Sequence, residues 1–217
     1  MLKFYHAPWS RSSGILWLLE ELGAEYEMIE IDIRQDGGVP EDYRLIQPNK
    51  KVPAIEHDGV VITERAAITI HLADAFPEAG LAPPIGDPMR GPCLSMLVYC
   101  DAVFDPALSA KAQGWTYESN DFPFGLAEDM VNHLDRILTE RLYAAGDRFT
   151  AADVQLGSGI GYTMDNLKVL PERPSFRAYM DRLSDRPANI RAAELDKQMA
   201  MNTPYFQKQF GAAPSEA

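Results

Sequence analysis

Between Tyr5 and Gly14 the chain reads Y-H-A-P-W-S-R-S-S-G, which places Ser10, Arg11, Ser12 and Ser13 where a short apolar run ends and a helical pattern begins. Hydroxyls and free amides at such a junction either cap the helix or donate to a ligand. A second group with chemical potential is I-T-E-R-A-A-I, in which Thr63 reads as an N-cap and Glu64 and Arg65 fall in the first turn. Amides there form an anion site by geometry and dipole. Glu64 suits a ligand ammonium and Arg65 a ligand carboxylate. The plainer alternative is that Glu64 favours the dipole and Arg65 is solvated. In Q-P-N-K-K-V-P-A-I, Pro53 stands near the start of a strand, where it cannot donate to a ladder. Either the strand is an edge with an ordinary trans proline, or Val52–Pro53 is cis and turns Val52 outward to pair with an extended peptide.

These residues need a frame. Leu2 to Tyr5 reads as a strand, and Ile15, Leu18, Leu19 and Leu22 repeat at helical spacing up to Gly23. Tyr26 to Ile33 is strand-like, with Ile29, Ile31 and Ile33 on one face. Val52 to Glu56 and Val60 to Ile62 are short strands joined by the turn His57-Asp58-Gly59, and Glu64 to Ala75 reads as a helix. The segment from Pro77 to Pro88 carries four prolines and two glycines in twelve residues, a linker composition.

Beyond it the rhythm becomes helical: Arg90 to about Ala112, Gly125 to Ala145, Ala151 to about Asn166, Ser175 to Asp185 and Pro187 to Met199. In R-F-T-A-A-D-V, Thr150 and Asp153 have the spacing of a capping box, with Phe149 and Val154 placed for a hydrophobic staple. The expected organisation is a small α/β domain over 1–76, a linker over 77–88 and an all-helical domain over 89–217. Gly211 to Ala217 reads as a frayed tail.

Composition narrows the function. With 217 residues, 46% hydrophobic and 24% charged, the chain can bury a proper core. A net charge of -12 argues against nucleic acid and anionic membrane, and against anionic small molecules unless local cations override the field. No apolar run reads as a membrane span or signal peptide. Cys93 and Cys100 form no metal or redox motif and read as core thiols of a cytoplasmic protein; no metal site is expected.

The element order, the serine-bearing loop, V-P-A-I, the Thr63-Glu64 pair, the linker and F-T-A-A-D together resemble the cytosolic glutathione S-transferases, of a bacterial, serine-loop, theta-like or related class. The resemblance runs from Met1 to about Met199. It implies a thioredoxin-like N-terminal domain that holds glutathione and an all-helical C-terminal domain that supplies most of the second-substrate pocket.

Carried over by position, Pro53 is the cis-proline and Val52 pairs its backbone with the cysteinyl part of glutathione. Glu64 meets the γ-glutamyl end, and Lys51 lies near the glycyl carboxylate. Lys50, Lys51, Arg65 and Arg11 are the local cations that an anionic tripeptide requires. A loop hydroxyl donates to the glutathione thiolate: Ser10 fits the catalytic position best, Ser12 next, and Tyr5 is an outside candidate on the strand. Lowering a thiol pKa by about two units takes roughly 2.7 kcal/mol. One hydroxyl bond to a charge supplies about 1.5–3 kcal/mol, and a helix N-terminus adds about 0.3–1.

Two positions depart from the family pattern: Arg65 replaces a serine or threonine, and Lys50 replaces a glycine. No cysteine occupies the position where some members carry a thiol, which argues against disulfide exchange through the protein. In the helical half, Tyr99, Asp101, Trp115 and Tyr162 are candidates for the electrophile pocket. The loop G-W-T-Y-E-S-N-D-F-P-F carries too much apolar surface for solvent. The resemblance further implies a homodimer that attacks hydrophobic electrophiles or reduces organic peroxides. The alternatives are a glutathione-dependent isomerase or disulfide reductase, and a non-catalytic binding or scaffold member.

Overall fold

The computed structural model describes residues 1–210, so the expected frayed tail lies outside the described residues. The chain divides into two compact units, one comprising Met1–Ile68 together with residues from Pro187 onward, the other Thr69–Arg186.

In the first unit, β1 (Leu2–His6), α1 (Ser13–Leu22) and β2 (Glu27–Glu30) form a β-α-β unit with parallel strands, followed by β3 (Ala54–His57) and β4 (Val60–Thr63). The four-stranded sheet has the order β2-β1-β3-β4, and β3 runs antiparallel to both β1 and β4. This is the thioredoxin-like arrangement. The helix α2 (Arg65–Ala75) follows β4 directly. Residues Gly14 to Leu19 of α1 are all buried, so this helix is covered on more than one side. Burial of five large apolar side chains there contributes on the order of 10 kcal/mol before chain entropy is counted.

The helix α8 (Pro187–Asn202) supplies part of that cover, packing along α1, with Arg191 Nε donating to Glu20 Oε2 at 3.0 Å. A short last helix, α9 (Pro204–Phe210), places Phe206 edge-on to Trp9 at 4.7 Å between ring centroids. The compact units thus group α8 and α9 with the N-terminal sheet, whereas the sequence division puts everything after Pro88 in the helical half. The reason is physical: a helix as apolar as α1 needs a second cover, and α8 provides it.

Strand limits also shift. Pro53 lies one residue before β3 and costs no ladder bond, and β2 is shorter than Tyr26 to Ile33. Ile29, Ile31 and Ile33 nevertheless pack together against the cluster of Tyr5, Val39, Tyr43 and Ala54.

The second unit contains α3 (Arg90–Tyr99), α4 (Asp105–Ala112), α5 (Ala127–Glu140), α6 (Ala151–Gly161) and α7 (Pro174–Ser184). A π-helical turn, Cys100–Phe104, joins α3 and α4 into one run, and a second, Tyr162–Asn166, extends α6. Contrary to the expectation of no span-length apolar run, Arg90–Ala112 is long and apolar enough to span a membrane by length and composition. Its buried face, Cys93, Met96, Leu97, Cys100 and Phe104, belongs to the core of this unit, where α3 packs on α6.

The capping box forms as expected: Asp153 Oδ2 accepts from Thr150 N at 2.8 Å and from Thr150 Oγ1 at 3.1 Å. Its Oδ1 accepts from Ala144 N at 2.7 Å and from the Tyr179 hydroxyl at 2.9 Å. Phe149 carries the Arg186 guanidinium over its ring at 3.5 Å and lies edge-on to Tyr143.

Candidate active site

The sheet register gathers the motifs. Tyr5 pairs with Ala54, and Ala54 pairs with Thr63, so one rung crosses the ends of β1, β3 and β4. Beyond that rung the chain continues into the serine loop from β1, into Pro53 and Val52 from β3, and into Glu64 and Arg65 from β4. With strands about 4.8 Å apart, these three segments meet along one edge about 10 Å wide.

The serine loop is built from hydrogen bonds. Ser12 is fully buried, and its Oγ lies 2.8 Å from His6 Nδ1, 2.7 Å from Ser10 Oγ and 3.1 Å from Ala7 N. Ser10 is half-buried. Its Oγ donates to Ala7 O at 2.7 Å or to Ser12 Oγ, and accepts from Ser12 N at 3.1 Å. Although Ser12 occupies the N-cap of α1, its hydroxyl makes no cap bond, and the Ser13 hydroxyl accepts from Ser10 N at 3.2 Å. The capping alternative for these hydroxyls therefore gives way to a loop that bonds within itself and to β1.

Two residues hold this loop from outside. Trp9 stands at φ 51, in the left-handed region, a conformation costing about 1–3 kcal/mol for a non-glycine residue. Its N-H donates to both carboxylate oxygens of Asp196, at 3.2 and 3.3 Å. The Arg34 guanidinium donates to Pro8 O at 3.1 Å and Trp9 O at 3.0 Å, and lies over the Phe206 ring at 4.6 Å. Neither Arg34 nor Asp196 figured among the sequence candidates. Asp196 lies 190 residues from its partner His6, so no local pattern announces it. Tyr5, the outside candidate, is buried in the cluster with Tyr43, and burial raises its hydroxyl pKa above the ordinary 10.0.

On the adjoining segments, the Val52–Pro53 bond is cis, Pro53 is buried and Val52 is half-buried. Lys51 is exposed. Its N-H donates to Gln47 Oε1 at 3.0 Å, and its carbonyl accepts from the Tyr43 hydroxyl at 3.1 Å. Lys50 turns away to Val39 O at 2.8 Å and Glu41 Oε1 at 2.7 Å, and Arg11 is exposed. Thr63 closes β4, so the helix cap shifts to Glu64, whose carbonyl accepts from Ile68 N at 2.9 Å. Glu64 is exposed at φ 68, while Arg65 is only 8% exposed and is not the solvated side chain of the plainer alternative.

In the second unit, a cavity of about 420 Å³ is lined by residues including Tyr99, Met96, His133, Ile137 and Arg141. Burial pushes the Tyr99 hydroxyl up to about 12, and burial likewise lowers the His133 pKa. Of the four pocket candidates, Tyr99 alone lines this cavity. Asp101 lies half-buried in the first π-turn and Tyr162 opens the second. Trp115 is 57% exposed on a loop whose aromatics pack on one another, with Phe122 and Phe124 stacked at 5.1 Å. Among the described residues, no group of three or more His, Cys, Asp or Glu side chains is placed to hold a metal ion.

This sheet, with a hydroxyl-bearing loop, a cis-proline and a helix start at one end, defines a thioredoxin-like domain. Residues 1–74 match the family model for the glutathione S-transferase N-terminal domain. The chain is 30% identical to glutathione S-transferase 3 of Schizosaccharomyces pombe, the match covering 89% of this chain and 87% of that protein. The solved structure of a sphingomonad glutathione S-transferase complexed with glutathione superposes with a TM-score of 0.72 at 28% identity, covering 90% of this chain and 98% of that one. A shorter match, 29% identical over 62% of this chain and 64% of the relative, is to maleylacetoacetate isomerase of Rattus norvegicus. The chain belongs to the glutathione S-transferase family.

Proposed function

We propose that this protein binds glutathione at the sheet end and stabilises its thiolate through the Ser10 hydroxyl for attack on a hydrophobic electrophile. The observation that carries this reading is the contrast between Ser12, fully buried, and Ser10, half-buried and hydrogen-bonded to it at 2.7 Å. Only the outer hydroxyl of the pair is open to a ligand. In this account Val52 pairs with the cysteinyl backbone beside cis Pro53, Glu64 receives the γ-glutamyl ammonium, and the Arg65 end of α2 and the exposed Arg11 offset its carboxylate. Lys51 lies toward the glycyl carboxylate. A hydroxyl bond to the thiolate contributes about 1.5–3 kcal/mol, enough to lower the thiol pKa by about one to two units. Residues 69–186 supply the electrophile site, for which the cavity beside Tyr99 is a candidate. The same activated thiol would reduce an organic peroxide.

The protein acts as a cytoplasmic homodimer in detoxification, as the family resemblance implies. Sedimentation at micromolar concentration tests the dimer. Turnover with aryl halide and hydroperoxide substrates tests the reaction: Ser10→Ala should lower kcat/KM about 10- to 100-fold, and unchanged turnover would remove Ser10 from the role. The match to an isomerase supports a second reading, in which glutathione adds to an unsaturated diacid and leaves again. Isomerisation of such a diacid with no net consumption of glutathione would select it.

A further inference from the structure

The side chains behind Ser10 form a continuous chain. Ser10 Oγ lies 2.7 Å from Ser12 Oγ, Ser12 Oγ lies 2.8 Å from His6 Nδ1, and His6 Nε2 lies 3.0 Å from Asp196 Oδ1. His6 is fully buried and Asp196 is 6% exposed. An Asp-His-Ser array on a hydrolase readies a serine for attack. Here the outer member is a second serine at the glutathione end of the sheet, so the array serves a different end. We propose that Ser10, Ser12 and His6 are a proton relay that takes the proton of the bound thiol into the protein, with Asp196 as the buried counter-charge that positions His6. The inference rests on the reading that Ser10 meets the thiol.

The direction of each bond follows from donor and acceptor chemistry. In the relay Asp196 is the acceptor, as it is toward Trp9 N, and His6 Nε2 carries the hydrogen between them. In neutral His6, Nδ1 is then the acceptor. In the relay Ser12 donates to it rather than to Ala7 O at 3.1 Å, and Ser10 donates to Ser12 rather than to Ala7 O at 2.7 Å. When glutathione binds, its S-H meets Ser10 Oγ. The thiol proton moves to Ser10 Oγ, the former Ser10 proton to Ser12 Oγ, and the former Ser12 proton to His6 Nδ1. Three bonds to hydrogen break and three form.

The products are a thiolate and an imidazolium, the latter against the Asp196 carboxylate. Every hydrogen bond in the chain now points outward: His6 Nδ1-H to Ser12, Ser12 to Ser10, Ser10 to sulfur. The same residues therefore remove the proton and stabilise what remains. Such a chain is stronger than its separate links, because each bond polarises the next.

The surroundings of His6 fit this role. Asp196 faces it from α8, and Phe4 packs against its ring at 5.1 Å. Two further charged groups on neighbouring segments are engaged elsewhere. Glu30, opposite His6 in the β1–β2 register, accepts from the Thr203 hydroxyl at 3.3 Å, and Arg34 is held by the carbonyls of Pro8 and Trp9. A histidine buried only to fill the core would have no connection to a half-exposed hydroxyl at the ligand end.

The test follows the ultraviolet absorbance of the thiolate in bound glutathione against pH, in the wild type, Asp196→Asn, Ser10→Ala and the double variant. Asparagine at 196 can still accept from Trp9 N and His6 Nε2, but lacks the charge. Asp196→Asn should raise the thiol midpoint by about one pH unit, a tenfold loss of thiolate below it, and should add nothing in the Ser10→Ala background. An unmoved midpoint in Asp196→Asn, or an equal shift with and without Ser10, overturns the relay. If Ser10→Ala alone still raises the midpoint, the reading of Ser10 survives that failure. If Ser10→Ala moves nothing, both fail.

A measurement on the wild type covers the case of a variant that does not fold. Imidazole nitrogen resonances of His6 should move to imidazolium values on saturation with glutathione but not with S-methylglutathione, which has no thiol proton. The same response to both ligands, or to neither, overturns the relay.

Discussion

Glu64 stands at φ 68 on the exposed lip between β4 and α2, where glycine would sit without strain. Under the proposed function its side chain offsets that conformation by meeting the ligand's ammonium. Glu64→Gly should therefore stabilise the protein by about 0.5–1 kcal/mol, read from denaturant midpoints, and weaken glutathione binding about tenfold. A variant that binds as well as wild type would separate Glu64 from the site. Ser12 shows the opposite balance. Ser12→Ala strips Ala7 N and His6 Nδ1 of a buried partner and should cost about 2 kcal/mol of stability.

Arg65 is the residue on which the site turns. It is buried where the family carries a small hydroxyl residue, so Arg65→Ser either weakens glutathione binding, making Arg65 a contact, or strengthens it, making Arg65 a plug. The proposed function expects weakening by about tenfold, measured by calorimetry. At this scale the serine loop, the cis bond at Pro53 and the turn at Glu64 are legible as local features because each sits in a local signature. The contact of His6 with Asp196 is not legible, since the fold brings Asp196 from the far end of the chain.

Among the elements, α1 and the strands announce themselves by period, and the hairpin by its turn, because those signals are local. The packing of α8 on α1 is not encoded in either helix alone. Six consecutive buried residues in α1 show that a cover exists, not which helix provides it. The short α9 and the π-turns lie below the resolution of periodicity, since a single widened turn leaves the apolar spacing nearly unchanged.

Two predictions belong to these elements. The Asp153 carboxylate accepts from Ala144 N, Thr150 N and the Tyr179 hydroxyl inside the core, so Asp153→Ala should destabilise by about 3 kcal/mol or more, with a correspondingly lowered Tm. The second concerns Arg90 on α3, which grips both carboxylate oxygens of Asp74 on α2 at 2.7 and 2.8 Å. The hydrogen bonds from Arg90 hold the Asp74 carboxyl below its ordinary 3.8. A depressed carboxyl pKa contributes stability above 3.8, and that contribution fades as pH falls through the lower folded value. Asp74→Asn should therefore be less stable than wild type near neutrality and converge with it in strong acid. Equal stability at both ends would discount the pair.

For the whole molecule, the proposed function sets an acidic chain, net -12, against an anionic tripeptide. Long-range charge opposes the ligand, and the local groups at one sheet end must overcome it: the α2 terminus with Arg65, Lys51, and the loop amides and hydroxyls. Binding should be saturable and confined to that end, since elsewhere the surface field repels the ligand. Calorimetric titration of glutathione into the full chain at neutral pH tests this most directly. The account predicts one site per chain, weakened by Arg65→Ser and by Glu64→Gly. A folded protein that gives no binding heat at any of several temperatures would contradict it, and would make this chain a family member that has lost its ligand.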